Sequence, residues 1–313
     1  MTLNDSLRLR ISLNWDDIYL KGDLTQLKLE SKGKRIVQNV VYNNRLDRKF
    51  RELSEKNECA LICYLVPGYP DIKTSEKLVS VLVRAGVDII EIGIPFSDPI
   101  ADGPAIQEAY HHSLTRGITP ERCLRFSQLI RKKYPDLPIV LMTYSNIPLR
   151  AGFRKFMTKS KQCGVDGFIL PDMQIEGSDT YLKETSKLKL ATIFLVSPNT
   201  KADRLKSIIS KCSGFLYLVS VYGTTGSRQS FEKYTATAIR NVKRMARSNI
   251  PVAVGFGIST PEHGKFMIDA GADAIIIASA IVNKIKEYSK NKRKMNQEIE
   301  SFVSSMKNVT RNP

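Results

Sequence analysis

A chain of 313 residues, 42% of them hydrophobic, is long enough to bury one large core, and a closed (β/α)₈ barrel uses about 250 residues as a single domain. No stretch reaches the roughly 20 uninterrupted apolar residues that a membrane span needs, so no membrane association is expected. The net charge of +17 fits nucleic acid, an anionic surface or an anionic small substrate. Its lysines and arginines are scattered along helical stretches and near the C-terminus, from Lys284 to Lys294. A basic stripe interleaved with aromatics is missing, so no nucleic-acid partner is expected.

Residues 1–43 carry no sustained pattern, and Asp16, Asp17, Asp23 and Glu30 argue against an acid-poor transit peptide. They read as an N-terminal extension, with the barrel domain running from 44 to 313. A charged helix over Arg45–Lys56 leads into the apolar run Ala60–Tyr64. Seven more strand-sized runs follow, at Ile89–Ile92, Ile139–Met142, Gly167–Leu170, Ala191–Val196, Phe215–Val219, Val252–Val254 and Ala274–Ile277. Continuous apolar runs are what a parallel sheet covered on both faces requires. The spacing therefore predicts an α/β fold of eight β/α units, a (β/α)₈ TIM barrel, with an open doubly wound sheet as the alternative.

A short repeat supports that order. Ala85-Gly86-Val87-Asp88, Cys163-Gly164-Val165-Asp166 and Ala270-Gly271-Ala272-Asp273 each stand just before a predicted strand. A glycine there supplies the left-handed conformation that ends a helix. Thr119-Pro120-Glu121 and Ser259-Thr260-Pro261-Glu262 combine cap, early proline and acidic first turn, the mark of helix starts. The five cysteines, Cys59, Cys63, Cys123, Cys163 and Cys212, form no CxxC pair and fit a reducing compartment. His111 and His112 diverge by about 100° on a helix and His263 stands alone, so no metal site is expected.

Barrel chemistry sits at the C-terminal strand ends. Glu91 lies inside an otherwise apolar run, and the stretch 91–104 (EIGIPFSDPIADGP) continues as a stiff loop carrying Asp98 and Asp102. Two readings of Glu91 stay open: a core carboxylate bridging to a neighbouring strand, and a catalytic acid set against the loop carboxylate Asp102. Glycine-rich stretches follow the sixth and seventh runs, Gly223–Arg228 and Gly255–Ser259, and Ser279 opens a helix after the eighth. Backbone N–H groups and a helix start there suit a phosphate.

These residues resemble the α subunit of tryptophan synthase, from about Asn44 to the C-terminal helix. The 91–104 stretch, Tyr217-Leu218-Val219-Ser220 with Gly223–Gly226, and Gly255-Phe256-Gly257-Ile258-Ser259 match that family's motifs in order. The second of these is most similar to cyanobacterial and plastid members. The resemblance implies a lyase of tryptophan biosynthesis that cleaves indole-3-glycerol phosphate to indole and glyceraldehyde 3-phosphate. It implies Glu91 as general acid/base, Asp102 as acceptor of the indole N–H, and Tyr217 as a catalytic-site tyrosine. Gly226, Gly257, Ala278 and Ser279 match phosphate contacts, Tyr64, Met142 and Phe256 the indole pocket, and Thr225 a closing loop. Asp98 and Asn146 match the partner interface.

The same resemblance implies no cofactor in this subunit, a β-subunit partner carrying pyridoxal phosphate, an α₂β₂ tetramer, and a cytoplasmic or plastid-stroma location. Three departures stand out: Ala278 for a glycine, Val221-Tyr222 for arginine-alanine, and Met173-Gln174 for leucine-proline. The Ala278 Cβ would crowd a phosphate if the backbone needed positive φ. A stand-alone indole-releasing lyase, another phosphate-binding isomerase or aldolase, and a basic nucleic-acid-binding scaffold are the alternatives. Against a Schiff-base aldolase, no lysine falls inside a predicted strand.

Overall fold

The computed structural model describes residues 44–219, 228–247, 249–255 and 257–311. Nine parallel strands form one sheet: Ala60–Leu65 (β1), Ile89–Gly93 (β2), Ile139–Met142 (β3), Gly167–Ile169 (β4), Ala191–Ile193 (β5), Leu195–Val196 (β6), Leu216–Val219 (β7), Val252–Gly255 (β8) and Ala274–Ile277 (β9). Their order is β5-β4-β3-β2-β1-β9-β8-β7-β6. The two ends of that order, β5 and β6, are consecutive pieces of one segment interrupted at Phe194, so the sheet closes on itself. β5 pairs with β4 and β6 with β7. The predicted run Ala191–Val196 is thus one barrel stave in two pieces, and the count of eight staves holds. The open-sheet alternative falls.

Helices alternate with the strands, and their starts follow the sequence. Thr119 caps Pro120–Lys133 and Thr260 caps Pro261–Asp269, each accepting a backbone N–H with proline at the first turn. The helix Arg45–Glu55 opens on an Asn44 capping box and buries Leu46, Phe50 and Leu53. Phe50 meets Phe215 with ring centroids 5.9 Å apart, and Arg45 reaches Asp166 at 3.0 Å. Both partners precede strands, so this helix covers the N-terminal mouth of the barrel.

The repeated Gly-x-Asp device performs a second task at that mouth. Gly86, Gly164 and Gly271 adopt φ of 94°, 87° and 105°, as a left-handed helix end requires. The aspartate two residues on then clasps the preceding stave. Leu61 N donates to Asp88 Oδ2 at 2.8 Å, Ile139 N to Asp166 Oδ2 at 2.9 Å and Val252 N to Asp273 Oδ2 at 2.7 Å. Each aspartate returns a backbone bond to the carbonyl of that same residue. Ser213 repeats the pattern on Thr192, at 2.9 Å in both directions. Four clasps therefore join β1 to β2, β3 to β4, β5 to β7 and β8 to β9. Three of them are neutralised by helix cations: Lys307 on Asp88 at 2.9 Å, Arg131 on Asp166 at 2.7 Å and Lys243 on Asp273 at 2.7 Å.

The Asp166 clasp is the driest, with its side chain wholly buried against two arginines. Removing one member of a buried pair costs about 3–5 kcal/mol. Asp166→Asn should lose stability on that scale in urea denaturation, and Asp273→Asn, whose side chain is one-third exposed, should lose less. Equal losses would show that burial of the pair is not what matters.

Candidate active site

Glu91 is the third residue of β2 and is 1% exposed. Its Oε2 meets no hydrogen-bond donor among the described residues. Burial, and then the charge of Asp102, push the carboxyl up to about 8. Of the two readings left open by sequence, the inter-strand bridge is the one this geometry rejects.

Neighbouring staves aim large side chains at the same space. Tyr64 is the register partner of Glu91, and Met142 that of Gly93. Residues two apart share a face, so Tyr64, Glu91, Gly93 and Met142 project together. That face is the barrel interior, because the phenol of Tyr217, on β7, feels the charges of both Glu91 and Asp102 after its own burial. Two glycines make the crowding possible. A Cβ on Gly93 would overlap the Tyr64 hydroxyl, and a Cβ on Gly255 would overlap that of Tyr217. The Tyr64 hydroxyl donates to Tyr110 Oη at 2.7 Å, with both side chains fully buried.

Asp102 does not sit in open solvent as a loop position suggests. It is half-buried, and burial raises its carboxyl to about 6 against the lowering effect of Tyr144. The separation between the two carboxyls expected from sequence is kept, with Asp102 the more acidic. Tyr144, just past β3, is the residue that sequence reasoning missed. Its hydroxyl donates to Asp102 Oδ2 at 2.6 Å and accepts from Ala101 N at 3.0 Å, and its ring stacks on Phe96 at 5.0 Å. One side chain thus fastens the acidic loop at three points. The available signal was an aromatic directly beyond a strand end, on the face where barrel sites form.

On the far side of the barrel mouth, Gly257 follows β8 with φ of 75°. Ala278 takes φ of −118°, so its Cβ enters no left-handed strain and the concern about the missing glycine falls away. Ser279 begins the helix Ser279–Glu287, which has no side-chain cap bond. Thr225, Gly226 and Phe256 lie outside the described residues, as do Val221, Tyr222 and residues 1–43. Asp98 is exposed on the loop after β2, near Ile100, and Asn146 is exposed at the start of the short helix Asn146–Ala151 after β3, which also carries Leu149; Ile100 and Leu149 are 82% and 63% exposed. Ser145 ties the β3 loop to Asp172 beyond β4, its N donating at 2.9 Å and its Oγ at 2.6 Å. Among the described residues no group of three or more His, Cys, Asp or Glu is placed to hold a metal, and no helix is long and apolar enough to cross a membrane.

Tyr144→Phe removes the one hydroxyl that, among the described residues, holds Asp102 down. The Asp102 carboxyl should titrate higher by ¹³C NMR, and urea stability should fall by about 1–2 kcal/mol. An unchanged titration would mean that the loop is held by other contacts.

The profile of the tryptophan synthase alpha chain family matches residues 50–311. The tryptophan synthase alpha chain of Thermoanaerobacter sp. (strain X514) is 42% identical over 267 residues, covering 85% of this chain and 99% of the relative. That of Arabidopsis thaliana is 39% identical over 266 residues, covering 84% and 94%. The crystal structure of tryptophan synthase subunit alpha from Legionella pneumophila str. Paris superposes with a TM-score of 0.80 at 31% identity, covering 86% of this chain and 99% of that one. With the profile spanning almost the whole barrel and relatives matched over nearly their full length, the chain belongs to the tryptophan synthase alpha chain family.

Proposed function

We propose that Glu91 and Asp102 carry out the retro-aldol cleavage of indole-3-glycerol phosphate to indole and glyceraldehyde 3-phosphate. The observation that carries this assignment is a carboxyl in a dry strand with its proton retained to about pH 8. Glu91 gives that proton to indole C3. The ring nitrogen then bears positive charge, and Asp102, ionised near neutral pH, accepts its N–H. Glu91, now a carboxylate, takes the proton of the hydroxyl on the carbon bonded to the ring. As the carbonyl forms, the carbon–carbon bond breaks and its electrons return to the indole. One residue serves as acid and then base, which suits a group whose pKa lies near the working pH.

Tyr64, Met142 and Tyr217 wall the indole space from β1, β3 and β7, with Phe256 assigned to the same pocket by family likeness. Gly257, Ala278 and Ser279, with Gly226, hold the phosphate; the uncapped start of Ser279–Glu287 supports this, since its first N–H groups and dipole suit an anion. Thr225 is assigned to closure over Asp102. The chemistry as written needs no cofactor in this subunit. The partner we assign is the β subunit, holder of pyridoxal phosphate, in an α₂β₂ tetramer. Asp98, Asn146 and the exposed apolar side chains Ile100 and Leu149 form the surface for it. A cytoplasmic or plastid-stroma location goes with this reading, supported by five free cysteines and a plant relative.

Glu91→Gln should keep its fold by circular dichroism and lose at least about 10²–10⁴ in indole release. Asp102→Asn should lose most activity as well. Because Glu91 must be protonated and Asp102 ionised, kcat/KM should be bell-shaped, falling as pH drops through about 6 and as it rises through about 8. Parent-like rates in Glu91→Gln would refute the acid assignment. For the partner surface, Leu149→Asp should weaken β-subunit binding at least about tenfold by titration calorimetry, the scale set by one truncated interface anchor. Unaltered affinity would place the β subunit elsewhere.

A further inference from the structure

Two carboxyls share this site, and each has tyrosine hydroxyls within its neighbourhood. Among the described residues, only one receives a hydroxyl proton. Tyr144 donates to Asp102, whereas Glu91 receives nothing at Oε2 although Tyr64 stands opposite it in the register. The Tyr64 ring leans over Gly93, on the face that Glu91 occupies. A phenol has one proton to give. In Tyr64 that proton goes to Tyr110, on the helix Pro104–Thr115.

We propose that Tyr110 is a positioning residue, which by accepting the Tyr64 hydroxyl proton turns that donor away from Glu91 and leaves its Oε2 without a donor among the described residues. The inference rests on Glu91 being the proton donor of the reaction. A hydroxyl aimed at a carboxylate favours the ionised form, and such charge-assisted bonds are about twice as strong as neutral ones. Without Tyr110, the buried Tyr64 hydroxyl lacks an acceptor, and buried donors find one. Two carboxyls act electrostatically on Tyr64, Asp102 and Glu91; Asp102 already accepts from Tyr144, and Glu91 is the one opposite Tyr64 in the register. The groups facing Glu91 are Tyr64 from β1, Tyr110 from the helix behind it, Tyr217 from β7 and Asp102 from the loop. Only Asp102 among them is charged at neutral pH, and of the three tyrosines Tyr64 is the register partner of Glu91, so the direction of its proton bears on the acidity of Glu91. Among the described residues Tyr110 makes no hydrogen bond to Glu91, and its side-chain hydrogen bond is the one with Tyr64.

The full-length protein, labelled with ¹³C at glutamate carboxyls, tests this. The Glu91 signal is identified by its loss in Glu91→Gln. In the parent it should titrate near 8. In Tyr110→Phe it should fall by about one to two pH units, the size that one charge-assisted hydrogen bond supplies. The alkaline limb of kcat/KM should move down with it. In the double variant Tyr64→Phe/Tyr110→Phe the proton itself is gone, and the value should return to that of the parent. Tyr64→Phe alone should show no fall. A parent value in the ordinary carboxylate range would overturn the acid assignment itself. A parent value near 8 that Tyr110→Phe leaves unchanged would overturn only the role of Tyr110. A fall that persists in the double variant, or that appears in Tyr64→Phe, would trace the change to packing and overturn it equally.

Discussion

A carboxyl that is to hold its proton at neutral pH, the role proposed for Glu91, needs surroundings without cations and without donors aimed at it, and the side chains around Glu91 meet that need among the described residues. β2 brings Glu91 into a layer of large side chains, and Tyr64 and Tyr217 close over it from β1 and β7. Each of those rings needs a neighbouring stave without a Cβ, which Gly93 and Gly255 supply. The same chemical group in Asp102 behaves differently because Tyr144 gives it a proton to accept. Acid and acceptor are thus separated by one hydrogen bond and a difference in burial, the usual way for two carboxyls to take opposite roles.

Charge is handled in the opposite manner at the other end of the staves. There Asp88, Asp166 and Asp273 are paired with Lys307, Arg131 and Lys243, and each also accepts an N–H from the start of the preceding stave. With Ser213 they divide the barrel into four two-stave units joined by the same backbone exchange. Fixing the staves in pairs at the base sets the relative height of β1 and β2, and therefore the register that places Tyr64 opposite Glu91. The N-terminal mouth confers stability while the C-terminal mouth carries chemistry. The helix Arg45–Glu55 belongs to the first of these, through Arg45 on Asp166 and Phe50 on Phe215.

The staves were legible because buried parallel strands read as unbroken apolar runs, and Glu91 because it interrupts one of them. What the residue string hides is pairing across space. The Gly-x-Asp repeat marks helix ends plainly, yet nothing in its spacing tells that the aspartate reaches back to the preceding stave. Tyr144 and Tyr110 look like ordinary aromatics, since their partners lie 42 and 46 positions away in the chain. Gly255 reads as part of a phosphate-binding turn, and the structure adds that it makes room for Tyr217. The break at Phe194, which leaves β5 paired with β4 and β6 with β7, has no mark in the unbroken apolar run Ala191–Val196.

Keeping Glu91 protonated has a thermodynamic consequence for the whole domain. Its carboxyl holds a proton up to about 8 in the folded chain and releases it near 4.5 when unfolded. The folded state therefore binds the extra proton throughout that interval, and stability falls as pH rises through it. The stabilising contribution is complete only below the unfolded value, where both states are protonated. At neutral pH the loss is on the order of a few kcal/mol, a large part of what an ordinary domain has to spare. The cations of the clasps, Lys307, Arg131 and Lys243, lie at the opposite mouth, and the core packing and clasps there add stability without bringing a cation near the acid. A cation placed beside Glu91 would restore stability and remove the proton that the proposed cleavage requires, so the destabilised residue has to be supported from a distance.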